Sequence, residues 1–244
     1  MHRFKKTVKK LRNLVFGDKN YTPFILLSTA RTGSNLLRSY LNNHPEILVD
    51  DEILKKLNNR DHRKILESCW GPQPKNLKAV GFKLFYGHPY DEKDKHSWKT
   101  ILEKPDLHII HLKRDNAVRS FISERIAFYN DEWLSNDQAE KSAKEAIYYN
   151  PEKLLRKLNQ LDDEMAWAEN FFSGIPKIEV EYNELTQKRD QTMNRITEFL
   201  NIQDVPVTTP LRRQNPESMS KLVTNWDEIT SVLKGTKWEK YLND

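Results

Sequence analysis

A single cysteine, Cys69, stands in a chain of 244 residues. It excludes an intramolecular disulfide and any zinc site built on several thiolates, and it suits a reducing compartment. Glycine is scarce too: there are seven, and no two are spaced as the dinucleotide fingerprint G-x-G-x-x-G requires. No apolar run approaches the ~18 residues of a membrane span, and no long apolar stretch follows the basic N-terminus as a secretory signal would demand. A cytoplasmic protein is expected. Internal repeats, low-complexity tracts and Gly/Ser linkers are missing as well, so one main domain is expected, long enough to bury its own core.

What the chain does have is an unevenly placed positive charge. The formal total is +5, from 40 Lys and Arg against 35 Asp and Glu. Residues 1–20 carry seven basic side chains (Arg3, Lys5, Lys6, Lys9, Lys10, Arg12, Lys19) and one acid, Asp18, a surplus of +6, so the other 224 residues sum to −1. A general nucleic-acid binder spreads positive charge over its folded body, and no nucleic-acid partner is expected here. Within residues 3–16, Phe4, Val8, Leu11 and Val15 recur at helical spacing among the cations, which predicts a basic amphipathic helix. The chain is therefore divided into this N-terminal segment, 1–20, and a domain over 21–244.

Hydrophobic spacing along the domain predicts alternating strands and helices. Strands are expected at Phe24–Ser28, Ala79–Phe85, Leu107–Leu112 and Ile178–Tyr182. Helices are expected at Ser34–Asn43, ending before Pro45, then from about Asn116 to Phe128, from Asn150-Pro151-Glu152 onward, and near Thr192–Leu200. The third of these carries Leu154, Leu158, Leu161, Met165, Ala168 and Phe172 on one face. This alternation predicts an α/β, three-layer, P-loop-like fold with a central, mostly parallel sheet flanked by helices. Ligands bind such sheets beyond the carboxyl ends of the strands, so chemistry is sought after Ser28, Phe85 and Leu112.

The first of these turns, Ser28-Thr29-Ala30-Arg31-Thr32-Gly33-Ser34-Asn35, passes from an apolar strand through a lone Gly into a helix. Free backbone N–H groups and the positive end of the helix dipole converge there, joined by Thr32, Ser34, Asn35 and the fixed charge of Arg31, which together make a phosphate or sulfate cradle. The first Gly and the Lys-Ser/Thr pair of G-x-x-x-x-G-K-[ST] are absent, which disfavours a magnesium-dependent nucleotide triphosphatase. A Ser/Asn-capped helix beside an exposed Arg would leave the same residues.

The segment Phe24–Leu54, FILLSTARTGSNLLRSYLNNHPEILVDDEIL, resembles the opening of bacterial carbohydrate sulfotransferases, including the nodulation-factor and trehalose sulfotransferase groups. The resemblance continues at Val80-Gly81-Phe82-Lys83-Leu84, at His111-Leu112-Lys113-Arg114-Asp115-Asn116, at Val180-Glu181-Tyr182-Asn183-Glu184-Leu185, and in the tail from Leu211 to Leu242. It implies the donor 3′-phosphoadenosine 5′-phosphosulfate (PAPS), the product 3′-phosphoadenosine 5′-phosphate (PAP), no metal, and a hydroxyl acceptor that is a glycan or glycolipid. By resemblance, Arg31, Thr32, Gly33, Ser34 and Asn35 hold the 5′-phosphosulfate, and Arg31 also stabilises the leaving phosphate. Glu52 stands at the family's "HP…E" acid and would serve as base, with Asp51 next in favour and His88 a third candidate. Lys83, a cation inside an apolar strand, would face the sulfuryl group. Arg114 matches the 3′-phosphate arginine. Its serine partner is Ser123 by one group of relatives and Ser120 by the other, neighbours on one helix face. Arg212-Arg213-Gln214-Asn215 and Tyr182 are further nucleotide candidates, and Asn130–Asn150 is a candidate acceptor lid.

Two rival readings stay open. A P-loop-like kinase or NTPase would use ATP and a magnesium ion held by Asp115, and chelation separates it from sulfuryl transfer, which needs no metal. A non-enzymatic module would bind polyanions or a membrane through residues 1–19, whose expected helix over 3–16 would equally place an enzyme at the inner membrane face.

Overall fold

The computed structural model describes residues 16–130, 146–211 and 217–242. The expected N-terminal helix over 3–16, most of the expected lid and the Arg212–Asn215 element therefore lie outside the described residues, apart from Phe16 and the lid's edges. The chain enters the body at Asp18, whose backbone pairs with Gln73 in an antiparallel bridge.

The first strand, β1 (Thr22–Ser28), is buried at every position but Thr22, as an unbroken apolar run in a parallel sheet should be. There follow α1 (Ser34–Asn43), β2 (Ile47–Asp50), α2 (His62–Cys69), β3 (Ala79–Phe85), α3 (His96–Leu102) and β4 (His108–Lys113). After them come α4 (Ala117–Asn130), α5 (Pro151–Phe171), β5 (Lys177–Glu181), α6 (Tyr182–Gln187), α7 (Arg189–Phe199), α8 (Met219–Leu222) and α9 (Trp226–Leu233). The sheet runs β2-β3-β1-β4-β5. Every neighbouring pair is parallel, with Leu26 of β1 opposite Lys83 of β3 and Ile110 of β4.

Side chains of β1 alternate between two cores, as the two-residue period of a strand requires. Phe24 and Leu26 pack with Leu37 and Leu41 of α1 and Ile196 of α7. Ile25 and Leu27 face the other way, onto Trp98 of α3 and Phe172 at the end of α5. A third cluster joins α4, α5, α8 and α9 through Ile122, Leu158, Met219 and Ile229. Three layers result, and the start of α5 matches its sequence signals: Asn150 Oδ1 accepts from Lys153 N–H at 2.8 Å, with Pro151 in the first turn.

Two departures from the sequence expectation bear on the site. The strand expected to reach Tyr182 stops at Glu181, which caps α6 in a reciprocal box with Glu184, so Tyr182 opens a helix instead. A strand not foreseen, β2, adds an edge to the sheet beside β3. The connection leaving β1 runs toward β2 and β3 on one side, whereas that leaving β4 runs to β5 on the other. A crevice therefore opens between the carboxyl ends of β1 and β4, the place where such sheets bind ligands.

Candidate active site

The turn after β1 brings two residues into the left-handed region, Arg31 at φ 62° and Gly33 at φ 91°. For Arg31 this conformation is strained by about 1–3 kcal/mol, a cost typical of functional sites. Gly33 is the N-cap of α1, and no side chain caps the helix. The capped-helix alternative therefore does not apply, and among the described residues no side chain accepts from the first amides of α1. Thr32 Oγ1 donates to the Thr29 carbonyl at 2.8 Å and tightens the turn. A Cβ on Gly33 would lie 2.5 Å from Tyr182 Cδ2, so the ring closes directly over the turn.

Lys83 is the centre of the second group. It is 1% exposed, and its ammonium meets Asn35 Oδ1 at 2.5 Å, Asp51 Oδ1 at 2.8 Å and Glu52 Oε1 at 3.2 Å. Three oxygens match the three donors of an ammonium. Lys55 lies 3.6 Å from Glu52 Oε2 and Arg38 3.8 Å from Asp51 Oδ2, which balance the second carboxylate. Burial works to raise the Asp51 pKa, but the Lys83 hydrogen bond and charge, with Arg38 and the Glu52 N–H, outweigh it and hold the carboxyl below its ordinary value. His88 is fully buried, with Nε2 3.7 Å from Glu52 Oε2. Burial, then the charges of Lys55, Lys95 and Lys83, push its imidazole down to about 3.

The third group spans the crevice. Arg114 Nη1 donates to the Arg31 carbonyl at 2.8 Å, and its guanidinium lies 4.6 Å from the centre of the Tyr182 ring. Arg31 Nε donates to Ser123 Oγ at 3.1 Å, while burial lowers the Arg31 pKa against the opposing charges of Glu124 and Tyr182. Ser120 turns elsewhere: its hydroxyl donates to the Asn116 carbonyl at 3.3 Å, and it lines a cavity of about 190 Å³ with Thr32 and Arg114. The two candidate serines thus occupy different surroundings. Arg119, passed over in the sequence, is 4% exposed. It joins Arg114, Asn116, Tyr182, Lys240 and Tyr241 around a second cavity of about 380 Å³. Asp115, the acid available to a magnesium-dependent rival, accepts from Tyr241 Oη at 2.5 Å and lies 3.7 Å from Lys240 Nζ.

On the opposite side of Arg31 and Lys83 lies a cleft of about 930 Å³. Its walls include Arg38, Asn42 and Asn43 from α1, Tyr90, Phe128 and Thr208, and Glu52 opens into it. Outside these groups, His111, Glu169 and Glu179 approach one another closely enough to hold a cation. Lys113 already places its ammonium 2.6 Å from Glu169 and 3.0 Å from Glu179.

A glycine turn uncapped at its helix, set at the switch point of an all-parallel sheet and crossed by a second arginine, belongs to the α/β enzymes that handle nucleotide-borne groups. Comparison narrows the class. The sulfotransferase family model matches residues 23–206, and the chain belongs to that family; the protein is a sulfotransferase. Nodulation protein H of Rhizobium tropici is 23% identical over 242 residues, covering 90% of this chain and 92% of its own. Its Rhizobium meliloti counterpart is 23% identical over 222 residues, covering 85% and 89%. The crystal structure of a sulfotransferase from Alicyclobacillus acidocaldarius shares the fold with a TM-score of 0.55 at 16% identity, covering 85% of this chain and 89% of that one. Among the described residues, no helix is long and apolar enough to cross a membrane.

Proposed function

We propose that this sulfotransferase takes the sulfuryl group of PAPS and passes it to a hydroxyl of a carbohydrate or glycolipid by in-line attack, with Glu52 as the base. The observation that carries this reading is the Lys83 ammonium. It ties Asn35, from the anion cradle, to the Asp51 and Glu52 carboxylates, so donor grip and proton acceptor share one point.

The residues present fit the donor. The uncapped amides of α1 and Arg31 suit its 5′-phosphosulfate, while Arg114, with Ser120 or Ser123, suits its 3′-phosphate. The cavity beside Tyr182 has room for an aromatic base. When bound, PAPS supplies an activated sulfuryl group on a phosphate leaving group. Arg31 and Lys83 then stabilise negative charge that grows on the bridging oxygen, a contribution typically worth a few kcal/mol of barrier.

Three candidates compete for the acceptor proton. His88 is fully buried, and its Nδ1 accepts from the Phe85 N–H at 3.3 Å, so the remaining proton sits on Nε2 and the ring has no site to receive another. The Asp51 carboxylate is engaged by Lys83 at 2.8 Å and faces Arg38, which hold it below its ordinary pKa and oppose its taking a proton. Glu52 lines the cleft, as Asp51 does, with Oε1 3.2 Å from Lys83 and Oε2 at the longer distance of 3.6 Å from Lys55. The cleft pairs amides of Asn42 and Asn43 with the faces of Tyr90 and Phe128, a mixture suited to sugar hydroxyls and ring C–H groups. The likeness to Nodulation protein H supports the same class of acceptor.

Glu52→Gln should bind PAP as the parent does and lose at least about a hundredfold in turnover. A radiolabelled-donor screen over glycan, glycolipid and phenolic acceptors tests the class. Preference for a phenol would overturn the carbohydrate assignment, and unimpaired turnover of Glu52→Gln would move the base to Asp51.

A further inference from the structure

His88 lies three residues beyond β3 in a loop anchored on several sides. Its backbone N–H donates to the Phe85 carbonyl at 2.9 Å, and its own carbonyl accepts from Lys95 Nζ at 2.5 Å and Trp98 Nε1 at 2.7 Å. The ring stacks on Phe85 with centroids 5.0 Å apart and meets the Tyr90 ring edge-on at 4.8 Å. The same loop clamps the segment that carries Glu52: Tyr90 N–H donates to the Lys55 carbonyl at 3.1 Å, and the Asp91 carboxylate accepts from the Leu57 and Asn58 N–H groups at 2.8 Å each.

With Nδ1 accepting from Phe85, the neutral ring carries its proton on Nε2. The depressed pKa keeps the ring in this neutral, single-donor form at working pH. Nε2 is buried and has no hydrogen-bond partner among the described residues, which is rare for a polar atom in an interior. The carboxylate oxygen facing it is Glu52 Oε2, at 3.7 Å. That gap is about 0.7 Å wider than an ordinary N–H···O bond.

We propose that His88 is a positioning residue for Glu52: its Nε2–H closes onto Glu52 Oε2 in the acceptor-bound enzyme and fixes the carboxylate between Lys83 and the imidazole, aimed at the acceptor hydroxyl. This rests on the reading of Glu52 as the base. His88 does not line the cleft, so it acts through Glu52 and receives no proton itself; the acceptor proton passes to the carboxylate. The Glu52 side chain is still 20% exposed and can turn between rotamers, and misplacement by about 1 Å can lower a rate on the order of a hundredfold.

Two substitutions separate positioning from mere support of the fold. H88N retains an oxygen near the place of Nδ1, so it keeps the Phe85 contact and loses the donor toward Glu52. H88Q carries an amide N–H near the place of Nε2, so it keeps the donor. Turnover is measured with radiolabelled PAPS and the glycan that supports the highest rate in the acceptor screen. H88N should lose about 10- to 100-fold in kcat, with KM for the donor and PAP affinity within about twofold of the parent. H88Q should recover most of that loss. In the E52Q background, H88N should cost no more than about twofold further, because the partner it orients is gone. Equal losses in both backgrounds, or H88N outperforming H88Q, would overturn the proposal while leaving Glu52 as base. Full turnover of E52Q alone would instead remove the base assignment, and this proposal with it.

Discussion

Replacing Lys83 by Met tests the centre of the site, because the substitution keeps an unbranched stem and removes the ammonium, with its charge and its three donors. Breaking an ion pair with both partners buried costs about 3–5 kcal/mol. Here the Lys83 side chain is 2% exposed, but those of Asp51 and Glu52 are 60% and 20% exposed, so water can take over part of their solvation. A loss of about 1–2 kcal/mol is expected, which for a chain of this size lowers Tm by roughly 2–8 °C. The pH dependence has a definite sign. Asp51 is held below its ordinary pKa in the folded state, largely through Lys83, so this pairing stabilises the fold above the unfolded carboxyl pKa. The stabilisation fades as pH falls through the lower, folded value. The difference in Tm between parent and variant should therefore be widest near neutrality and narrow below about pH 4. Turnover should fall about 10²- to 10³-fold, as when one preorganised donor is removed, with PAP affinity little changed. Calorimetry from pH 3 to 8 and a radiolabelled transfer assay measure both effects. Turnover within a few fold of the parent, or a Tm difference that keeps its size in acid, would refute the placement of Lys83 at the reaction centre.

Gly33→Ala should destabilise the fold by about 2 kcal/mol or more and weaken nucleotide binding, because the position has φ 91° and a methyl group there meets the Tyr182 ring. Combining it with Tyr182→Ala should relieve the clash and leave the backbone strain, so only part of the loss should return in a thermal melt. Removing residues 1–15, which spares the Asp18–Gln73 bridge, should leave transfer to a soluble glycan within about twofold while abolishing co-sedimentation with anionic liposomes. Loss of transfer in a truncated chain that still melts cooperatively would show that the N-terminal segment is part of the catalytic body.

The elements read most accurately from sequence are those with a strong period and a sharp stop. α1 was bounded to the residue because helical spacing ends at Asn43 just before His44-Pro45, and β3 because a continuous apolar run stops at Phe85. β2 escaped notice because four residues between a helix and a loop carry too little pattern. α2 and α3 escaped it because each buries only two or three side chains. The aromatic ring of Tyr182 suits a strand, whereas the capping box at Glu181 and Glu184 decides for a helix. In the site, Lys83 was legible as a charge in an apolar strand. Asn35, Asp51 and Glu52 were legible as separate candidates, but not their meeting at Lys83, since the edge strand β2 is what carries Asp51 and Glu52 to it. Arg119 was invisible for a related reason: an arginine on a helix reads as solvated, and its burial depends on contacts such as the Glu217 carbonyl, 98 positions away.

The near-neutral body conceals a bias that matters for binding. Among the described residues, the fully charged side chains buried in the body are Lys83 and Arg119, with no carboxylate in that class. Interior charge is costly, so a fold that keeps cations there gains from an anion that binds the folded state alone. PAP at a hundred times its Kd should add about 2.7 kcal/mol, visible as a rise of roughly 5–10 °C in Tm. Arg114→Ala should weaken PAP about 10- to 100-fold, as expected for losing a charge-assisted contact to a phosphate. Adenosine 5′-monophosphate distinguishes two explanations of that loss. If Arg114 holds the 3′-phosphate, the monophosphate lacks the group it serves, and the variant should bind it nearly as the parent does. If Arg114 acts mainly by stacking on Tyr182, 4.6 Å away, and bracing the adenine side, both nucleotides should weaken together. An equal loss for the two would therefore refute the 3′-phosphate role while leaving the 5′ cradle at Arg31 and Gly33 untouched.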